Sequence, residues 1–167
     1  IIKLCGEALK RHPDINASWQ GDAILQFGSI DIGLAVDLGN GLITPIIRNV
    51  AAKGVAQIDQ ELKALIEKAR ANALKPEEFT GATFTISNLG SFGIEEFTAI
   101  INPPGSAILA LGEVKKTPYV DADDEIKVAS FMKLTLSCDH RVIDGASGAG
   151  FLADLAGILE EPVRSIF

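Results

Sequence analysis

The chain has 167 residues, 47% of them apolar and 22% charged, the size and composition of one domain with a single substantial core. A formal net charge of −7 argues against nucleic acid as the main ligand, because phosphate binding needs a clustered basic surface. No apolar run reaches the roughly 20 residues that cross a bilayer, so no membrane span is expected. The two cysteines, Cys5 and Cys138, form neither a CxxC pair nor a ligand cluster with the two histidines, so neither a metal site nor a disulfide is expected and a reducing compartment fits.

Residues 1–10 read as an amphipathic helix already under way, and His12-Pro13-Asp14 stops it, since proline disfavours helical geometry in the residue before it. Residues 16–20 are expected to be a turn or loop. Two β segments follow, residues 23–36 with an interruption at Gly28-Ser29, and residues 42–47; Gly39-Asn40-Gly41 between them signals a tight turn. Between residues 55 and 73, Val55, Ile58, Leu62, Leu65, Ile66 and Ala69 recur at helical spacing, which predicts a helix with one buried stripe and one charged face. Residues 83–87, 107–111 and 127–137 are β-like. A last helix is predicted from about residue 146 to 159, with Phe151, Leu152, Leu155, Ile158 and Leu159 on one side. Strands and helices mix without regular βα alternation, which predicts an α/β two-layer sandwich with a mixed sheet.

Two histidines make the search for a base at neutral pH short. His12, beside a proline at a helix end, is expected on the surface. His140 lies where an apolar strand gives way to a polar loop and then a helix, a place where catalytic groups concentrate, although a satisfied structural histidine would fit there too. Asp144, four residues on, suits two roles: a carboxylate that orients the imidazole, or an N-cap before Gly145. Asp139 and Arg141 flank His140 with opposite charges and are expected to fix the turn by an ion pair or loop hydrogen bonds. Ser87 reads on its own as a turn serine capping the Asn88-Leu89-Gly90 bend.

Asp139 to Gly145, as Asp-His-Arg-x-x-Asp-Gly, resembles the signature of the dihydrolipoamide acyltransferases, and its His-x-x-x-Asp-Gly core is shared with chloramphenicol acetyltransferase. Three further stretches resemble the acyltransferases in the same order: Ile32 to Val36 with Gly41 to Arg48, Phe84 to Gly90, and Ile101 to Leu109. The resemblance implies a chloramphenicol acetyltransferase-like fold and acyl transfer between coenzyme A, as substrate, and a dihydrolipoyl group carried on a domain outside residues 1–167. By position, His140 matches the general base, Ser87 the hydroxyl that stabilises the oxyanion, and Asp144 a position that is Asp in some members and Asn in others. Residues 91–104 resemble the pyruvate-type, acetyl-transferring members, and acetoin-type complexes also transfer acetyl. A homotrimer with shared active sites, building a cubic or dodecahedral core, is implied, with 2-oxo acid decarboxylase and dihydrolipoamide dehydrogenase components as partners, in bacterial cytoplasm or mitochondrial matrix. Against the family domain, roughly the first quarter is expected to be absent, as are the lipoyl and peripheral-subunit-binding domains, while residues 162–167 resemble the usual C-terminal end. Two other readings are a scaffold that keeps the fold without catalysis and an antibiotic-modifying acetyltransferase. The presence of His140, Ser87 and Asp144 speaks against the first, and the Asp139 and Arg141 flanks against the second.

Overall fold

The computed structural model describes residues 1–39 and 41–163, so Asn40 of the Gly39-Asn40-Gly41 turn and the C-terminal residues 164–167 lie outside the described residues. Helix α1 (Ile2–Arg11) buries Cys5, Ala8 and Leu9 and ends at His12, with Lys10 and Arg11 in its last turn, where cations favour the negative end of the helix dipole. His12 is half-buried rather than on the surface: its Nε2 lies 3.4 Å from Asp154 Oδ2 and its ring meets Phe151 edge-on at 5.9 Å.

The residues expected as a loop at 16–20 contain strand β1 (Ala17–Trp19), which pairs antiparallel with β2 (Ile24–Gln26) through a turn containing Gly21. Three residues carry no readable period, so only the partner strand defines β1. The predicted segment 23–36 breaks into β2, β3 (Ile32–Leu34) and β4 (Val36–Asp37), and 42–47 into β5 (Leu42–Ile43) and β6 (Ile46–Ile47). Pro45, which has no N–H to donate, stands between β5 and β6. Leu38 N donates to Gly41 O at 2.9 Å, closing the expected turn between β4 and β5.

Helix α2 (Val55–Arg70) is followed by a short α3 (Pro76–Phe79), then β7 (Phe84–Asn88) and β8 (Ala107–Leu111). The single strand predicted over 127–137 is two: β10 (Ile126–Phe131) forms an exposed hairpin with the unpredicted β9 (Lys115–Val120), and β11 (Leu134–Cys138) returns to the main sheet. The break falls at Met132-Lys133, where Gly112 N donates to Lys133 O. Helix α4 (Gly145–Glu160) closes the chain's described part.

The main sheet has the order β11-β8-β7-β3-β6, with β8, β7 and β3 parallel and both edge strands antiparallel, so the expected mixed sheet is present. Close approach within it needs Gly33, since a Cβ there would sit 2.6 Å from Thr44 Cγ2. Helices α1, α2 and α4 contribute to one core with the sheet face that carries Ile32, Ile47, Phe84, Ile86, Leu109 and Leu111. Phe84 and Phe151 meet at 5.7 Å between ring centroids. Each large apolar side chain fully buried there contributes on the order of 1.5–3 kcal/mol. Helix α2 is less covered than its pattern suggests. Ile58 and Ala69 are buried, Val55 is 56% exposed, and Val55, Ile58 and Leu62 border an apolar cavity of about 470 Å³ with Ile2, Ile86 and Leu111.

Candidate active site

Strand β11 delivers the chain into a turn whose geometry Asp139 sets. Asp139 N donates to Ser106 O at 2.8 Å, and its carbonyl accepts from Val142 N and Ile143 N. Arg141 grips the Asp139 carboxylate with Nε to Oδ1 at 2.9 Å and Nη2 to Oδ2 at 2.6 Å, and its own amide donates to Oδ1. Hydrogen bonds from that side chain and then that amide hold the Asp139 pKa down to about 2. The ion pair expected from the flanking charges is therefore present. The Cys138 thiol just before it is half-buried, and burial raises its pKa.

His140 occupies the tip of this turn. It is exposed, and its ring makes no hydrogen bond to any described residue. Asp144 is the N-cap of α4: its Oδ1 accepts from Ser147 N at 2.8 Å. That backbone hydrogen bond is the main reason its carboxyl titrates below the usual range, with a small electrostatic contribution from nearby His140. Of the two roles open to Asp144, the cap is occupied, and no hydrogen bond joins it to the imidazole.

Ser87 sits within β7, and the bend after it is closed by a different residue: Asn88 Oδ1 accepts from Gly90 N at 2.9 Å. The capping role that the local sequence suggests for Ser87 thus belongs to Asn88. Side chains alternate along a strand, so Ser87 points away from the face on which Ile86 packs against the helices, and its hydroxyl has no hydrogen-bond partner among the described residues.

These groups do not converge within one chain. Ser87 pairs with Ala110 of β8, whereas Cys138 of β11 pairs with Ala107, three positions away, and His140 lies two residues further out. At about 3.3 Å per residue, those three positions are roughly 10 Å along the strands, with β8 lying between β7 and β11 and the chain turning at His140 beyond Cys138. A base acts within about 3 Å of the proton it takes, or through one water. His140 and Asp144 share one end of the sheet; Ser87 is toward the other.

Two residues that sequence reading passed over also belong to the His140 end. The Arg141 guanidinium stands 5.5 Å from the centroid of the Trp19 ring. Ser106 donates from Oγ and N to Ala17 O, tying β1 to the same backbone that receives Asp139 N. These pairs are far apart along the chain, so no local pattern announces them.

Residues 1–167 match the family described as 2-oxoacid dehydrogenases acyltransferase (catalytic domain). The chain is 51% identical over 162 residues to the dihydrolipoyllysine-residue acetyltransferase component of the pyruvate dehydrogenase complex of Rickettsia bellii, covering 97% of this chain and 38% of that protein. It is 51% identical over 166 residues to the mitochondrial counterpart of Schizosaccharomyces pombe, covering 98% and 34%. The chain therefore spans little more than a third of the length of these relatives. Among solved structures, the cubic core of the pyruvate dehydrogenase multienzyme complex superposes with a TM-score of 0.93 at 40% identity, over 99% of this chain and 68% of the other. The Azotobacter vinelandii dihydrolipoamide acetyltransferase, studied for the catalytic roles of a serine, a histidine and an asparagine four residues after the histidine, does so at 0.93 and 39%, over 99% and 68%. A chloramphenicol acetyltransferase shares the fold at 14% identity, with a TM-score of 0.57 over 95% and 76% of the two chains.

Proposed function

Because the chain belongs to the 2-oxoacid dehydrogenase acyltransferase family, we propose that it transfers acetyl between the thiol of dihydrolipoamide and coenzyme A, in the core of a pyruvate dehydrogenase complex. The observation that carries this reading is the state of the two polar groups: an exposed imidazole and a strand hydroxyl, both without hydrogen-bond partners among the described residues, at opposite ends of one sheet. Such a pair is poorly used inside one chain and well used between two. The relative whose core is cubic and the relatives named as acetyltransferases support the same assignment. The serine, histidine and asparagine studied in the Azotobacter protein, the last two spaced like His140 and Asp144, support the choice of residues.

The donor set suits thioester exchange. The dithiol carried by the lipoyl group supplies a nucleophile or leaving group when it is bound, and the chain's own residues manage proton and charge. In the direction that forms acetyl-coenzyme A, His140 takes the proton from the coenzyme A thiol as its sulfur attacks the thioester carbonyl. Ser87 of a second copy donates a hydrogen bond to the carbonyl oxygen as it gains negative charge. When the bond to the departing sulfur breaks, the imidazolium returns its proton to that sulfur, so no group on the chain is acylated. Because one thioester replaces another, a base and a donor suffice. The decarboxylase and the dihydrolipoamide dehydrogenase of the complex would supply the acetyl group and reoxidise the dithiol.

Replacing His140 with Ala in the full natural protein tests the assignment. Turnover in thioester exchange should fall by about two to four orders of magnitude without loss of the fold. Near-normal turnover by the folded variant would falsify it.

A further inference from the structure

We infer that Trp19 is a positioning residue for His140, acting through Arg141; the inference rests on the reading of His140 as the base. Among the described residues none hydrogen-bonds the imidazole, so its aim is set by the backbone of the turn from Asp139 to Val142. That turn is pinned from two sides. Toward the sheet, Asp139 N donates to Ser106 O, and Ser106 in turn donates to Ala17 O of β1. Toward solvent, the only side chain among the described residues that grips the Asp139 carboxylate is Arg141, which is itself more than half exposed.

An exposed ion pair between residues two apart is weakly fixed on its own, because both side chains keep alternative rotamers and water competes for the charges. The Trp19 ring changes this. It lies 5.5 Å from the guanidinium carbon, within the roughly 6 Å over which an aromatic face attracts a cation. Trp19 is on β1, two residues from Ala17, and so belongs to the strand that Ser106 anchors. The same short strand therefore holds both ends of the turn: Ala17 through Ser106 and Asp139, and Trp19 through Arg141. His140 stands between the two attachments. Trp19 touches no reacting atom; it restricts Arg141, Arg141 restricts Asp139, and the turn presents the imidazole in one direction.

Trp19 is the one tryptophan of residues 1–167, so the emission difference between the parent and Trp19→Phe isolates its signal in the full natural protein. In the full natural protein, Trp19→Ala should lower kcat about tenfold with KM nearly unchanged, short of the roughly hundredfold loss that a 1 Å displacement of a catalytic group causes. Trp19→Phe keeps an aromatic face and should restore most of that loss. Arg141→Met should alter the Trp19 emission and lower kcat to a similar degree, while Arg141→Met combined with Trp19→Ala should be no worse than either alone, because the two act in one chain of contacts. If Trp19→Ala fails to fold, the Arg141→Met and Trp19→Phe arms still decide the matter. Unchanged kcat in folded Trp19→Ala or Arg141→Met overturns the inference, as does an effect confined to KM. Such a result leaves the assignment of His140 standing as long as His140→Ala is inactive; an active His140→Ala removes that assignment and this one with it.

Discussion

Ser87 and His140 differ from ordinary surface polar residues in what they leave unused. The hydroxyl of Ser87 is not consumed by the bend beside it, because Asn88 caps Gly90. If Ser87 stabilises charge that exists only in the transition state, Ser87→Ala should lower kcat by about two to three orders of magnitude with little change in KM, measured by steady-state thioester exchange. A change in KM alone would assign Ser87 to substrate binding instead. The residue four beyond His140 shows the opposite pattern: Asp144 has a partner in the backbone amide of Ser147, and a structural duty follows from it.

At the level of elements, that duty is to start α4, the helix that places Phe151, Leu155 and Ile158 in the core. Asp144→Ala removes the cap and should lower Tm by a few degrees, whereas Asp144→Asn keeps an acceptor oxygen and should stay near the parent. The two variants also separate in acid. The folded-state pKa of Asp144 is lowered chiefly by the Ser147 amide, so the stabilisation it provides is complete above the ordinary carboxylate range and is lost as pH falls through the lowered value. Asparagine does not titrate, so Tm followed from neutral pH to about pH 2 should show less acid loss for Asp144→Asn than for the parent. Equal acid slopes would remove the cap from the account.

For the whole molecule, the separation of Ser87 from His140 across the sheet makes a prediction about assembly. Inactive Ser87→Ala and His140→Ala proteins, dissociated, mixed in equal amounts and reassembled, should recover about a quarter of parent activity. Random pairing leaves that share of shared sites with an intact serine from one copy and an intact histidine from another. Absence of recovery, with mixed assembly verified by mass, would place both residues' action within one copy.

The amino-acid sequence alone determined the long helices, the central strands β7 and β8, and the place of His140 between an apolar strand and a capped helix, because each depends on periodicity or caps within a short window. The Asp139–Arg141 pair was legible for the same reason, its partners being two residues apart. Tertiary structure decided the rest. Strand β1 exists through pairing with β2, and β9 through pairing with β10, too short or too exposed to show a pattern of their own. The Trp19 contact with Arg141 joins residues distant in the chain, and it is Asn88 rather than Ser87 that caps the bend. Strand register, a non-local property, sets His140 and Ser87 apart on the sheet, a separation that no short window of the sequence encodes.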